Sequence, residues 1–516
     1  MRCNIAVVAA GLVMFVATPA QAAWHRASSP HFIIYSDQSP EKLREFAVKL
    51  ERFDKAVRIA RSMQDLAVGD GNRLTVFVVS NPRAVQKLAQ DNTGFVAGFY
   101  IPRASGSVAF VPRSAGDGSK TDLNADTIFF HEYAHHLMMQ ELDRPLPAWL
   151  IEGFAEFLST ARFEADGSVG LGAAAVHRAR TLFSTERLPI ETMLAGNHAR
   201  LNEPQRESLY GRGWLLTHYL AFEPARRGQL ELYLDGIARG GNPLDAARSA
   251  FGDLKTLDKN LNAYLMRRRL AYLPISAARI PVGTIDISPL SPGAAAVIPL
   301  RMRSKRGVNA QTSGPLADEV RKVARLFPGD PLVEVTLAEA EVDTGNSAAA
   351  EAAADRALKS DPRMIEAMIY KGRAIMARAQ DSRSKDDWAA ARNWFIAANK
   401  ADSEDPEPLM LFYESYIRAG QRPNANAIAA LHYSSNLAPQ DTGLRLNSAM
   451  QYLRDKKPKE ARAALAPLAY NPHGQKLAEM VRGAIARIDA ADSAAALATL
   501  NDGAKAGDDA PAQPGR

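Results

Sequence analysis

A single cysteine in 516 residues, Cys3, is the first scarcity to weigh. No disulfide can form within the chain, and neither dithiol redox chemistry nor a cysteine-rich metal site is available to it. Cys3 also lies within the first 22 residues, where Arg2, the apolar run Ile5 to Val16 and the triplet Ala20-Gln21-Ala22 have the order of a secretory signal peptide. Residues 1–22 are therefore expected to be removed on export, leaving a secreted, periplasmic chain with no cysteine. Beyond them no apolar run is long enough to cross a bilayer, so no transmembrane segment is expected in the mature chain. An excess of charge of one sign is lacking too, since 63 Lys and Arg face 57 Asp and Glu, a balance of +6 that becomes +5 without Arg2. The basic residues are scattered, which argues against nucleic acid as a partner.

Against this background the run His131-Glu132-Tyr133-Ala134-His135 stands out. Side chains at i and i+4 share a helix face, so both imidazoles can reach one metal ion. Glu132, one step round, can polarise a water held there. Asn124 or Asp126 can cap the start of such a helix, Ile128, Phe129, Leu137 and Met138 supply apolar faces, and no Pro or Gly interrupts Asp126 to Leu142. His136 points about 100° away from its ligand neighbour and is expected at the surface or behind the ligands. A carboxylate follows in Trp149-Leu150-Ile151-Glu152-Gly153-Phe154-Ala155-Glu156. Catalytic zinc usually takes three protein ligands and keeps a fourth position for water, so two His and one Glu would complete a set. Glu152 and Glu156 stand four apart and share a face, and either could supply that carboxylate. The remaining histidines, His25, His31, His177, His198, His218, His432 and His473, have no ligand spacing and are expected to be structural or solvated.

The pairing of HExxH with a later WLxEGxAE segment resembles the gluzincin metallopeptidases, in particular their peptidase-MA-like branch with its aminopeptidase-N-like members. Leu150-Ile151-Glu152-Gly153-Phe154-Ala155 matches their LNEGFA-type segment except for Ile151 in place of Asn, and the stretch before it is two residues shorter. The resemblance implies one catalytic Zn2+ held by His131, His135 and Glu152, with Glu156 either orienting a ligand His or replacing Glu152. It implies Glu132 as general base towards the attacking water and then as proton donor to the leaving amine. Tyr210-Gly211-Arg212-Gly213 is similar to the family's Tyr-x-Lys-Gly segment, which makes Tyr210 the donor to the oxyanion and puts Arg212 where the family has Lys. The plain alternative for Tyr210 is a buried aromatic on an amphipathic helix from Gln205 to Phe222. Gly106 to Phe110 occupies the place of a strand whose Glu holds the substrate's amino terminus in the aminopeptidases. No acid is present here, so the resemblance points to an endopeptidase, with this segment as an edge strand for an extended polypeptide.

The length requires more than one core. Residues 24–276 are expected to form an α+β, gluzincin-type catalytic domain with a small sheet from His31–Tyr35, Leu74–Val79, Phe95–Tyr100 and Ser107–Val111 packed on the HExxH helix. A mostly helical stretch follows through Tyr272. Residues 277–315, rich in Pro, Gly and Ser, read as a linker or short strands. In residues 316–500, Pro328, Pro362, Pro406, Pro439 and Pro472 fall 34, 44, 33 and 33 residues apart, a spacing that resembles tetratricopeptide repeats and implies an all-α solenoid. Pro331 to Pro362 is the best unit, and Gln380 to Asp387 reads as a polar insertion. The repeats would either bind a protein partner or substrate on their concave face or simply scaffold the catalytic domain. Residues 501–516 are expected to be disordered. Two functions follow from this organisation, a secreted zinc metallopeptidase or a non-catalytic metal-binding repeat scaffold. Glu132 favours the enzyme, because a purely structural site needs no base.

Overall fold

The computed structural model describes residues 24–65, 69–91, 96–114, 123–141, 144–184, 186–196, 201–470 and 474–507. The expected signal segment lies outside them. The described chain is mostly helical with a small mixed sheet, an α+β arrangement. Among the described residues nine strands are formed: β1 His25–Ser28, β2 Phe32–Ser36, β3 Leu74–Val79, β4 Phe99–Ile101, β5 Val108–Pro112, β6 Arg162–Phe163, β7 Val169–Leu171, β8 Leu273–Ile275 and β9 Asp286–Pro289. Six make the main sheet in the order β4-β5-β3-β2-β1-β9, with β2, β3 and β5 mutually parallel. β6, β7 and β8 form a second, antiparallel sheet.

Alternation along the strands builds two cores. Phe32, Ile34, Val76, Val78, Ala109 and Val111 face the helices Pro40–Arg61 and Ala125–Glu141. Tyr35, Phe77, Val79, Val108 and Phe110 face the opposite way, towards the helices Pro82–Ala89 and Pro292–Arg306. Because β5 is buried on both faces and paired on both sides, it is an inner strand. The expectation that Gly106 to Phe110 forms the sheet edge is therefore corrected, and the edge belongs to β4.

Of the two readings of residues 277–315, the linker is corrected and the short strand is met by β9, with a helix beside it. β9 returns to the main sheet beside β1, and Pro292–Arg306 is a helix that buries Ala294, Val297 and Ile298. Ser291 caps that helix and Pro292 suits its first turn, while Pro299 is accommodated within it. The Pro and Gly content marks the helix ends rather than an absence of structure.

From Pro292 onward the chain forms paired helices: Pro292–Arg306 with Ser313–Leu326, Pro331–Asp343 with Ser347–Ser360, Ile365–Ser382 with Lys385–Ala401, Pro406–Arg418 with Ala425–Leu437, Thr442–Arg454 with Pro458–Leu465, and Gln475–Asp489 with Ser493–Gly507. The polar segment around Gln380 does not loop out. It lengthens both helices of the third pair to 18 and 17 residues, joined by a turn with Arg383 at φ 54. The last helix continues to Gly507, so the disorder expected from Asn501 does not hold for 501–507. Among the described residues no helix is long and apolar enough to cross a membrane.

The helical array is bonded to the sheet region. Asn72 Nδ2 donates to Leu437 O at 2.7 Å, Ala104 N to Asp441 Oδ2 at 2.7 Å, and Gln440 Nε2 to Ser107 Oγ at 3.3 Å. Arg445 Nη2 reaches Met139 O, in the last turn of the HExxH helix, at 3.3 Å.

Candidate metal centre

The HExxH helix, Ala125–Glu141, starts where Asn124 Oδ1 accepts from Thr127 N at 2.9 Å, so Asn124 is the cap, while Asp126 bonds to Lys49. Its inner face fixes the rotation of the motif. Phe130 stacks on Phe53 with ring centroids 4.2 Å apart, and Tyr133 packs on Phe32 at 4.9 Å. The Tyr133 hydroxyl donates to Asp54 Oδ1 at 2.7 Å, and Arg58 Nε in turn holds Asp54 Oδ2 at 2.7 Å. With Tyr133, Ala134 and Leu137 buried, His131 and His135 turn together towards the next helix, Ala148–Ser159.

That helix approaches a later one, Glu203–Phe222, backbone to backbone. A Cβ on Gly153 would lie 2.4 Å from the carbonyl carbon and oxygen of Gly213, and one on Gly213 would lie 2.7 Å from Trp149 O. The two glycines of the WLxEGxAE and YGRG segments thus allow one close crossing. That crossing brings Glu152, Glu156 and Tyr210 to the same side of the HExxH helix.

His131 Nε2 lies 3.2 Å from His135 Nε2 and 3.4 Å from Glu152 Oε2, and His135 Nε2 lies 3.6 Å from Glu152 Oε2. Bonds of ~2.0–2.1 Å to a tetrahedral ion put neighbouring ligand atoms roughly 3.3–3.4 Å apart, so the three atoms have the spacing of a zinc ligand triangle. Charge points the same way. Burial alone would lower the His131 pKa, but the Glu152 and Glu156 carboxylates outweigh it and raise the ring to about 10. The pocket thus carries negative charge that a cation would neutralise, and its donor set fits zinc.

A scan against protein-family models gives no match, and a search of curated proteins gives none.

Glu156 stands behind the His131, His135 and Glu152 cluster. Its Oε1 lies 3.2 Å from His131 Nδ1, the ring nitrogen that points away from the cluster. Burial would raise its pKa, yet the charge of Arg178, the nearby His131 ring and the bond from His177 hold it well below the usual carboxylate range. Tyr210 sits over His131 with ring centroids 5.8 Å apart. The negative charge of Glu152 first, then burial, holds its phenol well above the ordinary range, so it stays protonated and able to donate. Glu132 contributes to the same field and lies half-buried, next to His131 in the chain. Arg212 is turned away to Asp258.

His136 is buried at 4 % exposure, bonded to Tyr100 OH at 2.7 Å and Gln140 Nε2 at 3.0 Å, so the surface alternative is excluded. Burial, with the charges of Arg58 and His31, lowers its pKa to about 3 and keeps it neutral.

Two residues escaped the reading of the sequence. His177 Nε2 meets Glu156 Oε2 at 2.9 Å, and Arg178 Nη2 donates to Glu156 Oε1 at 2.6 Å. No spacing signal marks them, because a turn at Val176–Arg178 delivers them across the fold. A second grouping, His31 with Asp54 and Asp65, has ligand types within reach of one another. Its acids, however, already face Arg58, Lys55 and the Tyr133 hydroxyl. Burial would lower the His31 pKa, but Glu51 and Asp54 raise it, which makes the group a salt-bridge network. His198 and His473 lie outside the described residues.

Proposed function

We propose that this protein is a secreted, periplasmic zinc metallopeptidase of the gluzincin type, an endopeptidase whose catalytic part is followed by tetratricopeptide-like repeats. The observation that carries the reading is the triangle of His131 Nε2, His135 Nε2 and Glu152 Oε2, with edges of 3.2, 3.4 and 3.6 Å. Zinc bound there would polarise the scissile carbonyl and acidify the attacking water. Glu132 takes that water's proton and returns it to the leaving amine. Tyr210 donates to the oxyanion, a preorganised contact made in full only as charge develops. Glu156, with Oε1 3.2 Å from the far nitrogen of His131, orients that ring by its charge. Arg212, occupied by Asp258, takes no part.

For the repeats we propose scaffolding rather than recruitment of a partner. The bonds from Leu437, Gln440, Asp441 and Arg445 to the sheet loops and to the end of the HExxH helix support this. The polypeptide substrate then meets the catalytic part directly. The test is hydrolysis of casein by the purified mature chain beside Glu132→Gln. Cleavage that is abolished in the variant and by a zinc chelator is expected. Zinc-replete protein that leaves casein and a mixed peptide library intact would favour a metal-binding scaffold.

A further inference from the structure

The surroundings of Glu156 are more elaborate than the support of one imidazole requires. Glu156 is 1 % exposed, and a carboxylate buried so deeply needs strong partners. Arg178 supplies two, Nη2 to Oε1 at 2.6 Å and Nε to Oε2 at 3.1 Å, and His177 adds the third. This fork fixes the plane of the carboxylate, so that Oε1 is the oxygen facing His131 Nδ1. On its other side Arg178 Nη1 donates to Glu207 at 3.2 Å. Glu207 precedes Tyr210 by three residues on the same helix, which puts the two on one face. The guanidinium lies over the Tyr210 ring, 4.9 Å from its centroid. Arg178 is thereby attached to the helix that bears Glu152 and Glu156 and to the helix that bears Tyr210.

We infer that Arg178 is a positioning residue that sets the metal-ligand side and the oxyanion side of the site in one register, acting on His131 through Glu156 and on Tyr210 by stacking. Its kinetic half rests on the peptidase reading, whereas its metal half needs only the His131, His135 and Glu152 cluster. Lysine cannot replace arginine in this role, because one ammonium cannot fork to a carboxylate and stack on a ring together.

The test uses the full mature chain with Arg178→Lys, which keeps the charge, and Arg178→Met, used where circular dichroism shows it folded. Zinc affinity is read by competition with a chromophoric chelator, and kcat and KM on a casein-derived peptide. Arg178→Lys is expected to weaken zinc about tenfold, within the range typical for outer-shell partners of a ligand, and to lower kcat with little change in KM. The decisive readout is coupling. In an Glu156→Gln background the zinc effect should shrink to near nothing, and in a Tyr210→Phe background so should the kcat effect. Losses that simply add in both backgrounds, or unchanged zinc affinity in folded Arg178→Lys, would overturn the inference. A wild type that holds zinc, shows the Glu156-dependent zinc effect and cleaves nothing would uphold the metal half and overturn the peptidase reading instead.

Discussion

Gly153→Ala places one methyl group where the two helices of the site touch. The new Cβ would lie 2.4 Å from the carbonyl carbon and oxygen of Gly213 and 2.8 Å from Thr217 Oγ1, against ordinary contact from 3.4 Å. Thr217 can rotate, but the Gly213 peptide is held in its helix, so the axes must part by about 1 Å. Overpacking of this kind costs ~1–3 kcal/mol. Replacing a helical Gly by Ala returns ~1 kcal/mol of helix propensity, so the net loss of about 0–2 kcal/mol leaves a folded protein. Activity should respond far more strongly. Glu152 is the preceding residue and Tyr210 lies three positions before Gly213, so parting the helices moves the phenol away from the His131, His135 and Glu152 cluster. A misplacement of about 1 Å at a reacting centre can cost roughly 10²-fold in rate. Melting followed by differential scanning fluorimetry, together with kcat on a casein-derived peptide, measures both effects. A modest drop in melting temperature with a large loss of kcat is expected, and Gly213→Ala should behave alike. Wild-type kcat in either variant would refute the view that this crossing sets the site.

Tyr210→Phe should retain zinc and KM while kcat falls by ~10²–10³, as for loss of one oxyanion donor; an equal fall in zinc content would make Tyr210 a structural residue instead. Asp405 is buried, and its carboxylate accepts from Glu407 N at 2.9 Å at the start of the helix Pro406–Arg418. Burial, then the charge of Glu407, raises its pKa to about 8. Its folded-state pKa thus exceeds its unfolded one, so its contribution to stability is present below the ordinary carboxylate range and is lost as pH rises through about 8. Asp405→Asn keeps the cap and removes the titration, and urea unfolding at mildly acidic and mildly alkaline pH should show a smaller decline in the variant. Identical declines would show that Asp405 does not titrate with folding.

Local chemistry made the HExxH helix legible, since a cap, an apolar face and two histidines four apart all depend on residues close in sequence. Glu152 was legible for the same reason, through a short motif on the next helix. The alternation of Val108 and Phe110 signalled a strand, but nothing local said that β5 lies inside the sheet and β4 at its edge, because strand order is a matter of distant pairing. Likewise the Pro and Gly of residues 277–315 gave helix ends and a strand the appearance of a linker, and the return of β9 to β1 has no local mark. The role of Gly153 and Gly213 becomes visible only when their helices cross. Arg178 and His177 were hidden because they reach Glu156 from 22 and 21 residues away through a turn without a repeating pattern. The proline spacing of the C-terminal half fits the helical pairs well, while their docking onto Asn72, Ala104 and Met139 left no signature in composition.

The most direct measurement is zinc per chain in wild type, Glu132→Gln and Glu152→Gln, purified in parallel and analysed by mass spectrometry of the metal. Near-stoichiometric zinc in wild type and Glu132→Gln, with clear depletion in Glu152→Gln, is the expected result for the proposed roles of Glu152 as ligand and Glu132 as base. Equal loss in both variants, or none bound by the wild type, would contradict the assignment of His131, His135 and Glu152 as the metal centre.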